Sequence, residues 1–294
     1  MNARTITVNC VSAVGATMAA FLLSTGAYAQ THRTERHFAV EGKPVVTVQN
    51  PSGHILVKAW DKHEVMVVGR FAASSVEVDT EQVGNRIEVA THVGDPHASG
   101  GDTKTDYEIT VPTETELQVR TDSGNVTIDS VHGDVSFDSV TADLALQDVE
   151  GYLAIKTIGG STICTRCAGR MDANSISGNF QLIQPVMDNV RVQTSSGNIL
   201  FDGSFLSRGI YVLKNYSGTI EVRFSSNDSF DVNASSLFGN VVNQAPVVPD
   251  RHQMRAPKYP PNGMAQSLFG SMNEGHAKVE LSSFSGTIKI LKRD

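Results

Sequence analysis

Aromatic residues, cysteine and surplus positive charge are scarce in this sequence, and each shortage narrows what the protein can be. Aromatic residues make up 6% of the 294 residues, with one tryptophan and three cysteines. The formal net charge of -7 argues against a general nucleic-acid binder, which needs a cationic face. Glycine is plentiful by contrast, at 25 residues, among many Val, Ser, Thr, Asn and Asp residues. That composition is typical of short strands joined by tight turns and not of a helical bundle.

A hydrophobic run long enough to span a bilayer comfortably is also missing. The short apolar stretch at residues 10–23, CVSAVGATMAAFLL, follows the basic Arg4 and precedes a small-x-small site, A-Y-A, at 27–29. This order predicts a secretory signal peptide over residues 1–29, with an uncleaved N-terminal anchor as the alternative. We therefore expect an exported protein, in the periplasm, on the outer surface or secreted, with no transmembrane segment after cleavage.

Removal of the signal leaves two cysteines, Cys164 and Cys167, in the spacing CTRC and in an oxidising compartment. A redox motif would place this pair at a helix N-terminus, and the surrounding sequence has no helical pattern. Zinc would require two further ligands at suitable spacing, which the sequence does not offer. A local disulfide is the first expectation, a pair of packed thiols the second, and redox or metal chemistry the third.

A nine-residue phrase repeats through the middle of the chain, starting at Gly124. The positions reached by steps of nine are Gly133, Ala142, Gly151, Gly160, Gly169 and Gly178. Apolar residues stand two and four positions after each of them, as Val126 and Ile128 do after Gly124, with Thr162 as the clear exception. Such alternation predicts half-buried strands, and glycine supplies the backbone freedom that the turns need.

Two phrases complete one coil of about eighteen residues, so that stacked coils place like residues on like. We predict an all-β fold, a right-handed parallel β-solenoid over residues 38–294 with about 18–21 residues per coil, the handedness following the preference of parallel crossovers. Within it we expect an N-terminal β cap at 38–120, regular coils at 121–243 and closing strands at 267–294. Residues 30–37 are expected to form a short N-terminal tail.

Residues 244–266 depart from the pattern, because they hold five of the ten prolines. Proline removes ladder donors, so this segment is predicted to be a long exposed loop. Long loops on a rigid scaffold often carry function, and a plain surface excursion is the alternative. The candidate partner-binding residues in it are Arg251, His252, Met254, Arg255, Lys258 and Tyr259.

Several phrases together resemble a bacterial family of putative adhesins, a domain of unknown function with β-strand repeats that is akin to adhesin-head domains. They are, in order, HILVKAWDKHEV, YEITVPTETELQVRTDSGNVTI, the serial SGN and HGD phrases, and AKVELSSFSGTIKI. The resemblance covers roughly residues 38–294. It implies a β-helix-like fold and an exported protein, and it implies no catalytic residues. Fold alone does not determine function.

Searches for chemistry find no catalytic, cofactor or metal site in the sequence. The stacking rule separates the clustered aspartates, placing Asp143 between Asn125 and Ser161, so no pair of carboxylates is predicted to face one space. The residues after the glycines are too irregular for a calcium-binding roll and are better interpreted as turn formers. The nine histidines are scattered without the close spacing of a zinc motif.

The sequence therefore predicts an exported, non-catalytic β-solenoid, a putative adhesin or envelope scaffold that binds a glycan or a protein partner. The first alternative is an envelope sensor or assembly partner, and the second is a polysaccharide-active enzyme. No cofactor and no nucleic-acid partner are expected.

Overall fold

The structure, a computed structural model, describes residues 32–72, 76–94, 104–249 and 266–293. Within these ranges the chain is all-β, contains no helix and forms one continuous hydrogen-bonded sheet of 23 strands. The strands are β1 (His32–Ala39), β2 (Val45–Trp60), β3 (Glu64–Phe71), β4 (Val76–Val83), β5 (Arg86–Val93), β6 (Thr105–Pro112), β7 (Glu116–Asp129), β8 (Val135–Ser139), β9 (Asp143–Gln147), β10 (Glu150–Thr157), β11 (Ser161–Thr165), β12 (Ala168–Ser175), β13 (Asn179–Ile183), β14 (Val186–Thr194), β15 (Ile199–Asp202), β16 (Ile210–Asn215), β17 (Thr219–Phe224), β18 (Phe230–Ser236), β19 (Val241–Asn243), β20 (Val248–Pro249), β21 (Gln266–Met272), β22 (Ala277–Ser283) and β23 (Thr287–Lys292). None of the described segments is a candidate for a membrane-spanning helix.

The sheet consists of two ladders of strands that share the long strands β2 and β7. Ladder 1 runs in the order β4, β5, β2, β7, β8, β10, β12, β14, β16, β22, β18, β21, β20. Ladder 2 runs in the order β1, β3, β6, β2, β7, β9, β11, β13, β15, β17, β23, β19. Each coil therefore contributes one strand to each ladder.

The register of the parallel strands confirms the predicted solenoid-like body. Val135 pairs with Leu153, which pairs with Met171, so that each step along ladder 1 equals two of the nine-residue phrases. A register shift then occurs between β12 and β14, where Met171 pairs with Val190, and Val190 pairs in turn with Tyr211. The coils therefore lengthen slightly toward the C-terminus. The register of the hydrogen-bonded strands therefore gives the coil length that the nine-residue repeat predicts.

Chain order and spatial order differ at both ends of the sheet. Strand β2 lies between β7 and the pair β5 and β6, and strands β22 and β23 lie between the coil β16–β17 and the coil β18–β19. Antiparallel strands then complete the ends, with β1, β3 and β4 at one end and β20 and β21 at the other. From His32 onward, the segment expected to be a tail is strand β1, because its backbone groups pair with the edge of β3.

The space between the two ladders is one apolar core. Alternate residues point inward along the strands, as on β8, where Val135 and Phe137 are buried and Ser136 between them is exposed. Each fully buried aliphatic or aromatic side chain contributes about 1.5–3 kcal/mol relative to exposure. Five aromatic rings cluster in the second half of this core: Phe201, Phe205, Tyr211, Phe224 and Phe230. The Tyr211 hydroxyl donates to the Met187 carbonyl (2.6 Å), and burial raises its pKa to about 12.

Beside the apolar core, a column of polar side chains runs along the corners at which the ladder 1 strands end. We call it the polar column. Its members stand three residues before each corner glycine, or before Ala142, and pair in register: Asn50, Thr121, Ser139, Thr157, Ser175, Thr194, Asn215, Ser283 and Ser236. Most of these side chains hydrogen-bond the corner backbone, whereas Ser139 donates to the Thr157 hydroxyl. The amide of Gly178, for example, donates to Ser175 Oγ (2.7 Å), and the amide of Gly286 donates to Ser283 Oγ (2.8 Å). A polar side chain at the same position therefore supports successive corners.

The corner glycines are required because successive corners approach each other closely. A Cβ atom at Gly124 would lie under 3.0 Å from the carbonyl oxygen of Gly53 in the adjacent strand. Gly178 and Gly218 would likewise place a Cβ atom 2.8 Å from the Gly160 oxygen and 2.6 Å from the Gly197 oxygen. No side chain fits at these positions without moving the coils apart.

Val135→Asp should abolish the native fold, because it buries an unpaired carboxylate, at a cost of more than about 4 kcal/mol in the free energy of unfolding. Ser136→Asp, one residue along and exposed, should cost less than about 1 kcal/mol. Urea titration followed by circular dichroism measures both. Equal stabilities of the two variants would show that the inward face of β8 is assigned incorrectly.

Gly124→Ala should lower the free energy of unfolding by more than about 3 kcal/mol, because it adds a backbone clash to an unfavourable φ of +115°. Gly84→Ala is the matched control, since Gly84 also has a positive φ (+61°) but nothing within 4 Å of the added Cβ. We expect that control to cost about 1 kcal/mol. Thermal melts of both variants would contradict the close approach of the corners if the two losses were the same.

Candidate functional site

Most of the corners that follow the ladder 1 strands expose a large apolar side chain. The exposed apolar residues are Val140, Ile158, Ile176, Tyr216, Phe284 and Phe238. The opposite corners are those that follow the ladder 2 strands. There, the residues at the same place in the nine-residue phrase are fully buried: Val131, Val149 and Cys167. Two positions that are equivalent in the sequence pattern thus have opposite environments in the structure.

Three aromatic residues at the C-terminal end of this row form an exposed stack, the aromatic corner, made of Tyr216, Phe284 and Phe238. The rings of Tyr216 and Phe284 are stacked, with centroids 4.4 Å apart and planes 10° apart. Phe238 meets Phe284 edge-on at 5.1 Å. Tyr216 and Phe238 remain 57% and 50% exposed. Because β22 lies between β16 and β18, residues distant in the chain become neighbours here.

A groove of about 590 Å³ lies beside the aromatic corner, on the outer face of β16, β22, β18 and β21. One row of its floor follows the strand register through Lys214, Ser282, Ser235 and Ser267. Among the described residues, the hydroxyls of these three serines have no hydrogen-bond partner. The groove therefore combines exposed aromatic rings with free hydroxyl groups.

The charges around the groove are engaged with neighbouring groups. Lys214 Nζ lies 2.7 Å from Glu280 Oε1. Asp231 Oδ1 accepts a hydrogen bond from Ser271 Oγ at 2.8 Å. Lys278 lies in register beside Asp231, so positive and negative side chains balance around the groove and create no field of one sign.

A buried acceptor lies beneath the same groove. Asn215 is 6% exposed and belongs to the polar column, and its Nδ2 group donates to the Gly197 carbonyl at 3.3 Å. Its Oδ1 atom has no partner among the described residues. A buried acceptor without a donor is uncommon, since most buried polar atoms are paired.

Asp134, which follows Gly133, and Asp143, which follows Ala142, hydrogen-bond neighbouring coils. The Tyr152 amide donates to Asp134 Oδ1 (3.1 Å), and the Ser161 amide donates to Asp143 Oδ1 (2.7 Å). Asp143 stacks between Asn125 and Ser161, as the stacking rule predicts. Within the described ranges, no three or more His, Cys, Asp or Glu side chains are grouped so as to hold a metal ion.

One ion pair joins successive coils at the opposite corners, where the backbone repeats a left-handed conformation once per coil. Ser130, Asp148, Arg166 and Gln184 all have φ between 51° and 60°. Arg166 donates two hydrogen bonds to Asp148, at 2.7 and 2.6 Å. These bonds lower the pKa of the Asp148 carboxyl. This exposed pair belongs to the scaffold and does not line the groove.

The structure joins Cys164 and Cys167 by a disulfide, with their Cα atoms 6.0 Å apart. The pair closes the corner between β11 and β12, and both residues are fully buried. Cys164 stands in register between Leu146 and Leu182, so its side chain belongs to the apolar core. The cysteines lie outside the groove lining.

The predicted partner-binding residues Arg251, His252, Met254, Arg255, Lys258 and Tyr259 lie outside the described residues, as does the predicted signal peptide. Of the Pro-rich segment, the structure describes residues 244–249 and Gln266. Gln266 Oε1 accepts a hydrogen bond from the Val241 amide (2.8 Å), and this residue lines the groove.

Sequence reasoning missed the groove and the aromatic corner. A signal was present, since the phrases NYSGT, SLFGN and SFSGT each carry an aromatic residue one or two positions before the glycine. Their adjacency was not visible, because the step from Gly218 to Gly286 crosses an entire inserted coil.

The comparisons with known proteins agree with this architecture. The family model described as Toastrack DUF4097 matches residues 45–291. The solved structure of a "putative adhesin" from Bacteroides fragilis NCTC 9343 is 12% identical, with a TM-score of 0.50, covering 89% of this chain and 98% of that chain. A "putative cell adhesion protein" from Clostridium sporogenes ATCC 15579 is 10% identical, with a TM-score of 0.29 and coverage of 90% and 100%. No curated protein matches the chain. At 12% identity, the likeness to the Bacteroides fragilis structure shows the fold alone.

We expect the purified chain to carry the Cys164–Cys167 disulfide when it is produced in an oxidising compartment. Under denaturing conditions without reductant, iodoacetamide should leave the peptide that contains residues 164–167 unmodified. Prior reduction should allow two alkylations, which mass spectrometry detects. Alkylation without reductant would show two packed thiols instead.

Proposed function

This chain belongs to the Toastrack DUF4097 family, and on that premise we propose that it is a non-catalytic, adhesin-like protein that binds a glycan in the groove beside the aromatic corner. The observation that carries the proposal is the junction of exposed rings at Tyr216 and Phe284 with the free hydroxyls of Ser235, Ser267 and Ser282. The Bacteroides fragilis protein of similar fold is described as a putative adhesin, which also supports a binding function.

A carbohydrate can contact both the aromatic rings and the hydroxyl groups of this surface. A pyranose ring has a face of C–H groups, which packs against an aromatic side chain, and a rim of hydroxyls, which both donate and accept hydrogen bonds. Serine hydroxyls and the Asn233 amide offer donors and acceptors in return. Binding sites generally combine apolar contact with a few placed polar groups in this way.

The two carboxylates next to the groove, Glu280 and Asp231, support a binding function more than a hydrolytic one. A glycosidase needs two carboxyl groups that face the scissile bond at a set separation. Here Glu280 is paired with Lys214, and Asp231 accepts from Ser271. The polysaccharide-active enzyme is therefore the weaker alternative.

We also propose the export, the handedness and the N-terminal cap that the sequence predicts. The protein is exported through a signal peptide at residues 1–29 and acts in the periplasm, on the outer surface or outside the cell. Its coils are right-handed, and the strands at 38–120 cap the solenoid. The segment 244–266 offers a second surface, for a protein partner in the envelope, which would correspond to a sensor or assembly role.

Tyr216→Ala should weaken glycan binding at least tenfold, because it removes the most exposed ring of the aromatic corner, while leaving the thermal transition unchanged. The purified chain would first be applied to an array of bacterial and host glycans, and positive ligands measured by isothermal titration calorimetry. Tyr152→Ala is the matched control, since Tyr152 is 45% exposed on ladder 1 outside this groove.

Two outcomes would contradict the proposal: no glycan on the array bound above background, or equal affinity of the Tyr216 and Tyr152 variants. A parallel crosslinking experiment in cells tests the protein-partner alternative. A single protein recovered reproducibly, together with an empty array, would favour the sensor or assembly role.

A further inference from the structure

We infer that the groove holds a linear, uncharged oligosaccharide that lies parallel to the strands, with one end at the aromatic corner and the other beside Lys278. This inference rests on the proposed function and adds the length, direction and charge of the ligand.

The groove continues along the strands into a second depression. This depression has a volume of about 390 Å³ and shares Asn233 and Phe269 with the groove. Its floor adds two rows in register, with Val212 and Glu280 in the first and Ile210 and Lys278 in the second. The two depressions therefore form one surface along the strand direction.

The length of this surface suits a short chain of sugars. From Ile210 to Tyr216 the floor covers six residue steps, which at about 3.3 Å per step is about 20 Å, room for roughly four pyranose units. A single terminal sugar would occupy only the part next to the aromatic corner.

The charges on the surface favour an uncharged ligand. Lys214 and Glu280 are paired, and Lys278 lies in register beside Asp231, so that positive and negative groups alternate across the floor. A polyanion or polycation would meet as many like charges as opposite ones.

The hydrogen bonding of the floor disfavours an extended peptide. Peptides that add to sheets use the free backbone groups of an edge strand. Strands β16, β22 and β18 each have a neighbour on both sides. On these three strands only side chains remain available to a ligand, and they include hydroxyl, amide and aromatic groups and balanced charged groups.

The test measures affinity against ligand length. Cello-oligosaccharides and chito-oligosaccharides, from monomer to hexamer, would be titrated into the full chain by isothermal titration calorimetry. In at least one series we expect affinity to rise up to about the tetramer and then level off, as a floor of about 20 Å requires. Raising the salt concentration should change the affinity less than about twofold, because no net charge is recognised.

Variants at the two ends of the surface test the direction of the bound oligosaccharide and distinguish it from a general loss of binding. Lys278→Ala should weaken tetramer binding about fivefold, the loss of one hydrogen bond, and leave dimer binding unchanged. Tyr216→Ala should weaken both. Lys156→Ala, on ladder 1 outside the groove, is the control for loss of a lysine.

The outcomes separate this inference from the proposed function. Equal affinity for dimer and tetramer, equal effects of Lys278→Ala on both, a strong dependence on salt, or no binding by either series would each overturn the inference. The proposed function depends on the wider array and on Tyr216→Ala, so a branched, acidic or single-sugar ligand found there would sustain it while overturning the linear, uncharged chain.

Discussion

The close stacking of one corner on the next is the constraint on which the rest of the structure depends. At Gly124, Gly197 and Gly286 the space that a Cβ atom would need is taken by the carbonyl group of the adjacent corner. Three residues earlier, Thr121, Thr194 and Ser283 belong to the polar column that supports each corner from inside. The glycine allows the approach, and the polar side chain satisfies backbone groups that the corner would otherwise leave unpaired. Together they hold the coils in register, and the register in turn aligns the apolar core and the exposed rows.

The candidate site depends on this alignment and on one departure from it. Regular stacking places Tyr216 and Phe284 at the same point of their corners, two residues before the glycine, and Phe238, one residue before its glycine, meets Phe284 edge-on. The insertion of β22 between β16 and β18 brings Ser282 between Lys214 and Ser235. A groove with aromatic and hydroxyl groups results from side chains that are ordinary when taken singly. The binding properties of the groove depend on how the rigid sheet spaces these side chains.

The sequence allowed the all-β class, the coil length and the inward face to be predicted, because these depend on local alternation and on a repeat in steps of nine. The repeat predicts that Val135 and Leu153 are neighbours in adjacent coils, and the two residues pair in the structure. The order of the last coils could not be predicted, because a repeat indicates what a coil looks like and not which coil lies beside it. The exposure of Ile158 and the burial of Val149 were also hidden, since both occupy the same place in the phrase. Which corner encloses the core depends on the curvature of the whole coil.

The displaced order of the strands also bears on how the chain is made. In an ordinary solenoid each coil can dock on the one before it as synthesis proceeds. Here β18 cannot find its parallel neighbour until residues 277–283 have been synthesised, and β17 must wait for β23. An apolar flank that includes Val232 and Phe230 therefore stays uncovered during this interval, when contact with other chains is a hazard. Such a chain is exposed to aggregation for longer during its synthesis than one that grows coil by coil.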